Sequence, residues 1–145
     1  YVAQLSEAAE QLREASQLVD RLNALLPKGN SAEVDSLRQQ GKLMQDSVKV
    51  LMNIMFADED GKQGITDNPD VLSDQLNGLY NYLSYSPEAP NANQMLAMQQ
   101  FIAKVKPFIA RINRFFAEDW QAYRELAEAT EWSPFEDVKP IGVDE

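Results

Sequence analysis

The stretch from Asn91 to Thr130, NANQMLAMQQFIAKVKPFIARINRFFAEDWQAYRELAEAT, decides the fold. Met95, Met98, Ile102, Val105, Ile109, Ile112 and Phe116 recur at alternating spacings of three and four, which places them on one helix face as a continuous apolar seam. Such a seam has to be buried against other helices. Asn91, with Gln94 three residues on, has the form of a capping box and predicts a helix start near residue 92. Lys104, Arg111 and Arg114 face away from the seam, and no Asp or Glu occurs from Asn91 through Ala117. The result is a basic stripe that can face water, face an acidic loop or grip an anionic partner. Pro107 on the same outward side removes one backbone hydrogen bond and predicts a bend. Beyond Phe116 the seam slips: Asp119 falls where an apolar residue is due, and Trp120, Tyr123 and Ala127 restart the pattern one position later. The helix therefore changes partner or breaks near Glu118.

The earlier part of the chain repeats this pattern. Leu5, Ala8, Leu12, Ala15, Val19, Leu22 and Leu26 form the seam of a first helix, which Pro27, Gly29 and Asn30 end. Its alanines predict close antiparallel packing. Ser31 can cap a second helix with Val34, Leu37, Gly41, Met44, Val48, Leu51 and Met55 on its seam. Leu43, Val50 and Ile54 flank that seam and predict a wider buried stripe. Gly41 costs roughly 1 kcal/mol relative to Ala, which a close helix approach would explain. Asn68 followed by Pro69 is a start signal for a third helix, with Leu72, Leu76, Leu79 and Leu83 as its seam and Tyr80, Tyr82 and Tyr85 near its end. The acidic stretch 58–67 between helices two and three does not match an EF-hand: aligning Asp58 and Asp60 puts Gly61 early and Pro69 where Glu is needed.

Composition removes whole classes of chemistry. The 145-residue chain has no His and no Cys, so it has no serine triad, His-ligated zinc or haem, Glu-x-x-His di-iron pair, disulfide or thiolate nucleophile. No glycine-rich phosphate loop and no glycosidase carboxylate dyad can be built from it. A formal charge of −10 argues against nucleic acid, and no apolar run reaches the ~20 residues needed to span a bilayer. We therefore read a non-enzyme with no cofactor and no metal site.

Gly-Ile-Thr-Asp-Asn-Pro at 64–69, Leu-Asn-Gly-Leu-Tyr-Asn-Tyr-Leu at 76–83, Ser-Pro-Glu-Ala-Pro-Asn at 86–91, Ile-Asn-Arg-Phe-Phe at 112–116, Trp120, Phe135 and Lys-Pro-Ile at 139–141 give the last half of the chain a recognisable character. It resembles the C-terminal helical region of large bacterial secreted proteins whose main body is a sortilin-like or BNR-repeat β-propeller. The resemblance implies export beyond the cytoplasm, to the periplasm, cell surface or medium, and a role as a stalk, brace or docking module appended to a propeller. It carries no catalytic residue onto this chain.

The expected fold is all-α: an antiparallel up-down-up-down four-helix bundle with helices near 2–26, 32–57, 69–85 and 92–130 and an extended C-terminal tail over 131–145. The whole of 1–145 is read as one helical domain. Its opening at Tyr1, inside a helical pattern and without a capping residue, suggests a piece of a longer polypeptide. The fourth helix, about 58 Å against ~36 Å for the first, has to overhang or break. In the alternating order its end lies beside Tyr1, so Trp120, Tyr123, Trp132 and Phe135 outrun their partner. They form a candidate docking patch for the upstream domain of the parent chain, with the tail folding back to bury Trp132 and Phe135. The alternative function is a periplasmic ligand-sensing bundle, against which the almost wholly apolar seams argue.

Overall fold

The computed structural model describes residues 1–28, 31–56, 70–85, 88–135 and 138–142, and the described residues form helices and no strand. Helix α1 covers Val2–Leu25, α2 Ala32–Met55, α3 Leu72–Ser84 and α4 Ala92–Arg114. A six-residue π-turn, Phe115–Trp120, joins α4 to α5, Gln121–Ala129. Backbone angles at Arg114, Phe115, Trp120 and Gln121 all lie in the right-handed helical region, so α4, the π-turn and α5 are one continuous fourth helix about 57 Å long.

Local signals set most of the boundaries. Ser31 Oγ accepts from the Val34 N–H at 3.4 Å. Asn91 and Gln94 close both arms of the capping box at 2.9 Å. Thr130 ends α5 by turning extended, while its hydroxyl donates to the Leu126 carbonyl at 2.7 Å. Asn68 and Pro69, read as the start of the third helix, lie outside the described residues; α3 is described from Leu72, with Val71 ahead of it.

Helices α1 and α2 form one antiparallel hairpin, with Gly41 against Val19 and Asn23 and with the Gln45 amide donating to Asp20. Helices α3 and α4 form a second one. Lys104 Nζ reaches Gln75 Oε1 at 3.0 Å near its open end, and Gln94 Nε2 donates to the Tyr82 carbonyl at 3.1 Å near its turn. The hairpins meet where Val2, Leu5, Met55, Leu72 and Leu76 gather. The fourth helix then passes from one to the other. Lys106 stands over the Tyr1 ring, 6.0 Å from its centre, and further on Phe116 and Trp120 border Gln11, Ala15 and Leu18.

The described residues thus form the expected all-α four-helix bundle with a long fourth helix; antiparallel pairing holds within each hairpin, while the fourth helix rises beside α1 in the same direction. Its end lies toward the far end of α1 and not beside Tyr1. The physical reason is length: α1 and α2, with 24 residues each, cover only the second part of the fourth helix, and the 13-residue α3 covers the first.

The seam of α2 is buried at every expected position from Val34 to Met55. Along α4 the buried line is rotated by one residue, to Gln94, Phe101, Val105, Phe108, Ile112 and Phe115. Val105 and Ile112, shared by both lines, are 0% and 1% exposed, Ile102, Ile109 and Phe116 flank them, and Met95 and Met98 are largely outside. Three rings spaced by seven bury more apolar surface than the Met, Ile and Phe side chains beside them, so they take the centre. The expected widening of α2 is met only in part: Ile54 packs partly buried against the core, whereas Leu43 and Val50 are about half exposed.

The π-turn accounts for the seam slip. One extra residue per turn rotates the remainder of the helix, so Asp119 stands in solvent, Trp120 is half-buried and Tyr123 enters the core. Leu12, Leu37 and Ile112 anchor the α1, α2 and α4 faces of that core with at most 1% exposure, and truncating any of them to Ala costs about 2–5 kcal/mol.

The two helical glycines make opposite predictions. A Cβ at Gly41 would stand 2.9 Å from Asn23 Oδ1 and 3.1 Å from Val19 Cγ1, whereas one at Gly78 would meet nothing within 4 Å. Gly41→Val should lose about 1–3 kcal/mol by overpacking, and Gly78→Ala should gain up to about 1 kcal/mol of helix propensity. Urea denaturation of the two variants measures both signs.

Candidate functional site

The four aromatics read as one patch are divided by the structure. Phe115, Phe116, Trp120 and Tyr123 form a ladder along the inner side of the fourth helix, with centroid separations of 5.1, 6.2 and 5.6 Å and tilted or edge-on rings. Tyr123 is core, and both Trp120 and Trp132 pack half-buried against that core. Phe135 alone of the four stands outside, 87% exposed, so the fold-back of the tail stops at Trp132. Trp120 and Tyr123 do not outrun a partner because the fourth helix ascends beside α1.

Beyond Trp132 the described residues of the tail form no helix or strand, and the Phe135 N–H bonds the Ser133 hydroxyl at 3.2 Å. Val138 and Ile141 are each 92% exposed. Trp132, Phe135, Val138 and Ile141 are spaced by three, with Pro134 and Pro140 between them. That is the repeat of a polyproline II helix, which puts every third side chain on one edge. The spacing is legible in the sequence and was the signal for Val138 and Ile141 as part of a surface.

The basic stripe also divides. Lys104 is tied to Gln75 beside α3. Arg111 and Arg114 instead border a groove of about 440 Å³ between α2 and the fourth helix, lined by Ser47, Val50, Leu51, Phe115 and Asp119. Val50, about half exposed, lines this groove from α2. Tyr80, Tyr82 and Tyr85 are 70%, 44% and 88% exposed near the end of α3. No group of three or more acidic or other metal-binding side chains occurs among the described residues, and none of the described helices is long and apolar enough to cross a membrane. The acidic stretch 58–67 lies outside the described residues.

Comparison with protein-family models, with curated proteins and with solved structures finds no match to the chain.

Desolvation raises the Tyr123 phenol above the ordinary value of 10.0, and its buried hydroxyl has no hydrogen-bond partner among the described residues. The neutral phenol is favoured in the folded chain. Its contribution to stability is therefore whole below pH 10 and is lost as pH rises through the raised folded value. Tyr123→Phe should remove this alkaline loss and, by deleting an unsatisfied buried hydroxyl, raise stability at pH 7 by about 1 kcal/mol. Thermal unfolding at pH 7 and above pH 10 checks both effects.

Proposed function

We propose that this chain is a non-catalytic helical module that docks within a larger extracytoplasmic protein bearing a β-propeller, and that its C-terminal tail is the docking element. The observation that carries the reading is the exposure of Phe135, Val138 and Ile141, at 87%, 92% and 92%, at every third position after Trp132, which packs half-buried against the core. An isolated exposed apolar side chain needs no explanation, but a row in register does. The nine steps from Trp132 to Ile141 would span about 28 Å on adopting polyproline II form, enough to lie along an aromatic-lined groove, which is how such segments are recognised. Glu131, Glu136 and Asp137 against Lys139 give the segment a negative balance that suits a basic rim on the partner.

The assignment of parent and compartment rests on the resemblance of residues 64–141 to the helical regions of secreted propeller proteins. The non-catalytic reading rests on a sequence without histidine or cysteine. The upstream domain of the same parent is the proposed partner, with no nucleic acid involved.

Hydrogen exchange tests this. In the intact parent protein residues 131–142 should exchange more slowly than in the 145-residue chain, and the triple variant Phe135→Ser, Val138→Ser, Ile141→Ser should abolish the difference. Because all three side chains are exposed, the variant should change the stability of the 145-residue chain by no more than about 0.5 kcal/mol per site. Equal exchange in both settings would rule the tail out as the docking element.

A further inference from the structure

The groove between α2 and the fourth helix has features that the docking reading does not use. Arg111 and Arg114, three residues apart on one helix face, both border it. In a chain of net charge −10, neither has an ion-pair or hydrogen-bond partner among the described residues, and nor does Asp119, which lines the same groove. Ser47 adds a hydroxyl from α2, while Val50, Leu51 and Phe115 make the apolar wall. The fourth helix supplies these charges across its π-turn, to which both Phe115 and Asp119 belong. A turn of this kind recurs at functional sites, and here its extra residue carries Asp119 out of the seam and onto the groove.

We propose that this groove binds a small zwitterion, an α-amino acid with an apolar side chain. Arg111 and Arg114 take the carboxylate together with the Ser47 hydroxyl, Asp119 takes the ammonium, and Val50, Leu51 and Phe115 hold the side chain. Two guanidinium groups alone would suit any anion, but Asp119 repels a purely anionic ligand and needs a positive group of its own. Asp119 lies five residues beyond Arg114 across the π-turn, a gap that a flexible arginine side chain can close on a ligand whose two charges are adjacent. The volume of about 440 Å³ lies in the range of small-molecule sites and leaves room for a branched or aromatic side chain. The site is independent of the tail, so it stands or falls apart from the docking proposal.

The test is calorimetric titration of the 145-residue chain with L-leucine, L-phenylalanine, N-acetyl-L-leucine and L-leucine amide. The free amino acids should bind saturably, and the two derivatives, each lacking one charge, at least about tenfold more weakly. Arg111→Gln with Arg114→Gln should lower the affinity for leucine by about tenfold or more. Asp119→Asn should lower it and also erase the preference over N-acetyl-leucine. All three side chains are exposed, so circular dichroism and melting temperature of the variants should match the parent chain. Absence of saturable binding of both amino acids up to about 10 mM, or equal affinity for leucine and N-acetyl-leucine, overturns the proposal.

Discussion

A helix of about 57 Å cannot be buried by partners of about 36 Å, and the arrangement of this molecule is set by that mismatch. If α3 returned along α2, as in an evenly alternating bundle, the first part of the fourth helix would extend alone into water. Phe101, at 7% exposure, would then lose its cover. Placing α3 beside that part spends a short helix where a short helix suffices. Leu43 and Val50 on α2 stay about half exposed. Gln94 secures the turn between α3 and α4: it closes the capping box and donates to the Tyr82 carbonyl, which gives both polar atoms of its buried amide a partner.

The second constraint is that one fourth helix must face two sets of partners. A strict α-helix would carry Asp119 toward the seam, where an unpaired carboxylate is costly. The π-turn adds a residue without abandoning helical geometry: the Phe115 N–H reaches both the Arg111 and Ile112 carbonyls, and the angles on either side stay helical. Its effect is to put a carboxylate outside and a phenol ring inside. The cost is visible at Tyr123, whose hydroxyl enters the core with no partner among the described residues.

What the sequence disclosed was local. Caps at Ser31 and Asn91, the seam of α2 and the slip at Asp119 were legible because each is set by residues within a turn or two. The one-residue rotation of α4 was not. Two overlapping apolar lines share Val105 and Ile112, and only packing against α1 and α2 chooses between them. The direction of the fourth helix relative to α1 was equally hidden, since a connection constrains its two ends and not the sense in which distant helices meet. Of the candidate surfaces, Arg111 and Arg114 could be read as a basic stripe. The groove could not, because its second wall, Ser47, Val50 and Leu51, comes from more than fifty residues away in the chain. For the tail the period of three was present in the sequence, but the expectation that apolar residues fold back masked it.

The two surfaces sit on opposite sides of the point where the fourth helix ends. Thr130 turns the chain extended, and Trp132 is the last side chain packed on the core. Past that anchor, the apolar side chains described in the tail, Phe135, Val138 and Ile141, are exposed. The groove is built on α2 and the π-turn, several helical turns before the anchor. Groups this far apart with no shared partner act additively in energy, so a partner on the tail and a ligand in the groove can be gained or lost separately. The two proposed surfaces differ in how they join the bundle: the groove shares Leu51 and Phe115 with the core, whereas Phe135, Val138 and Ile141 stand outside it.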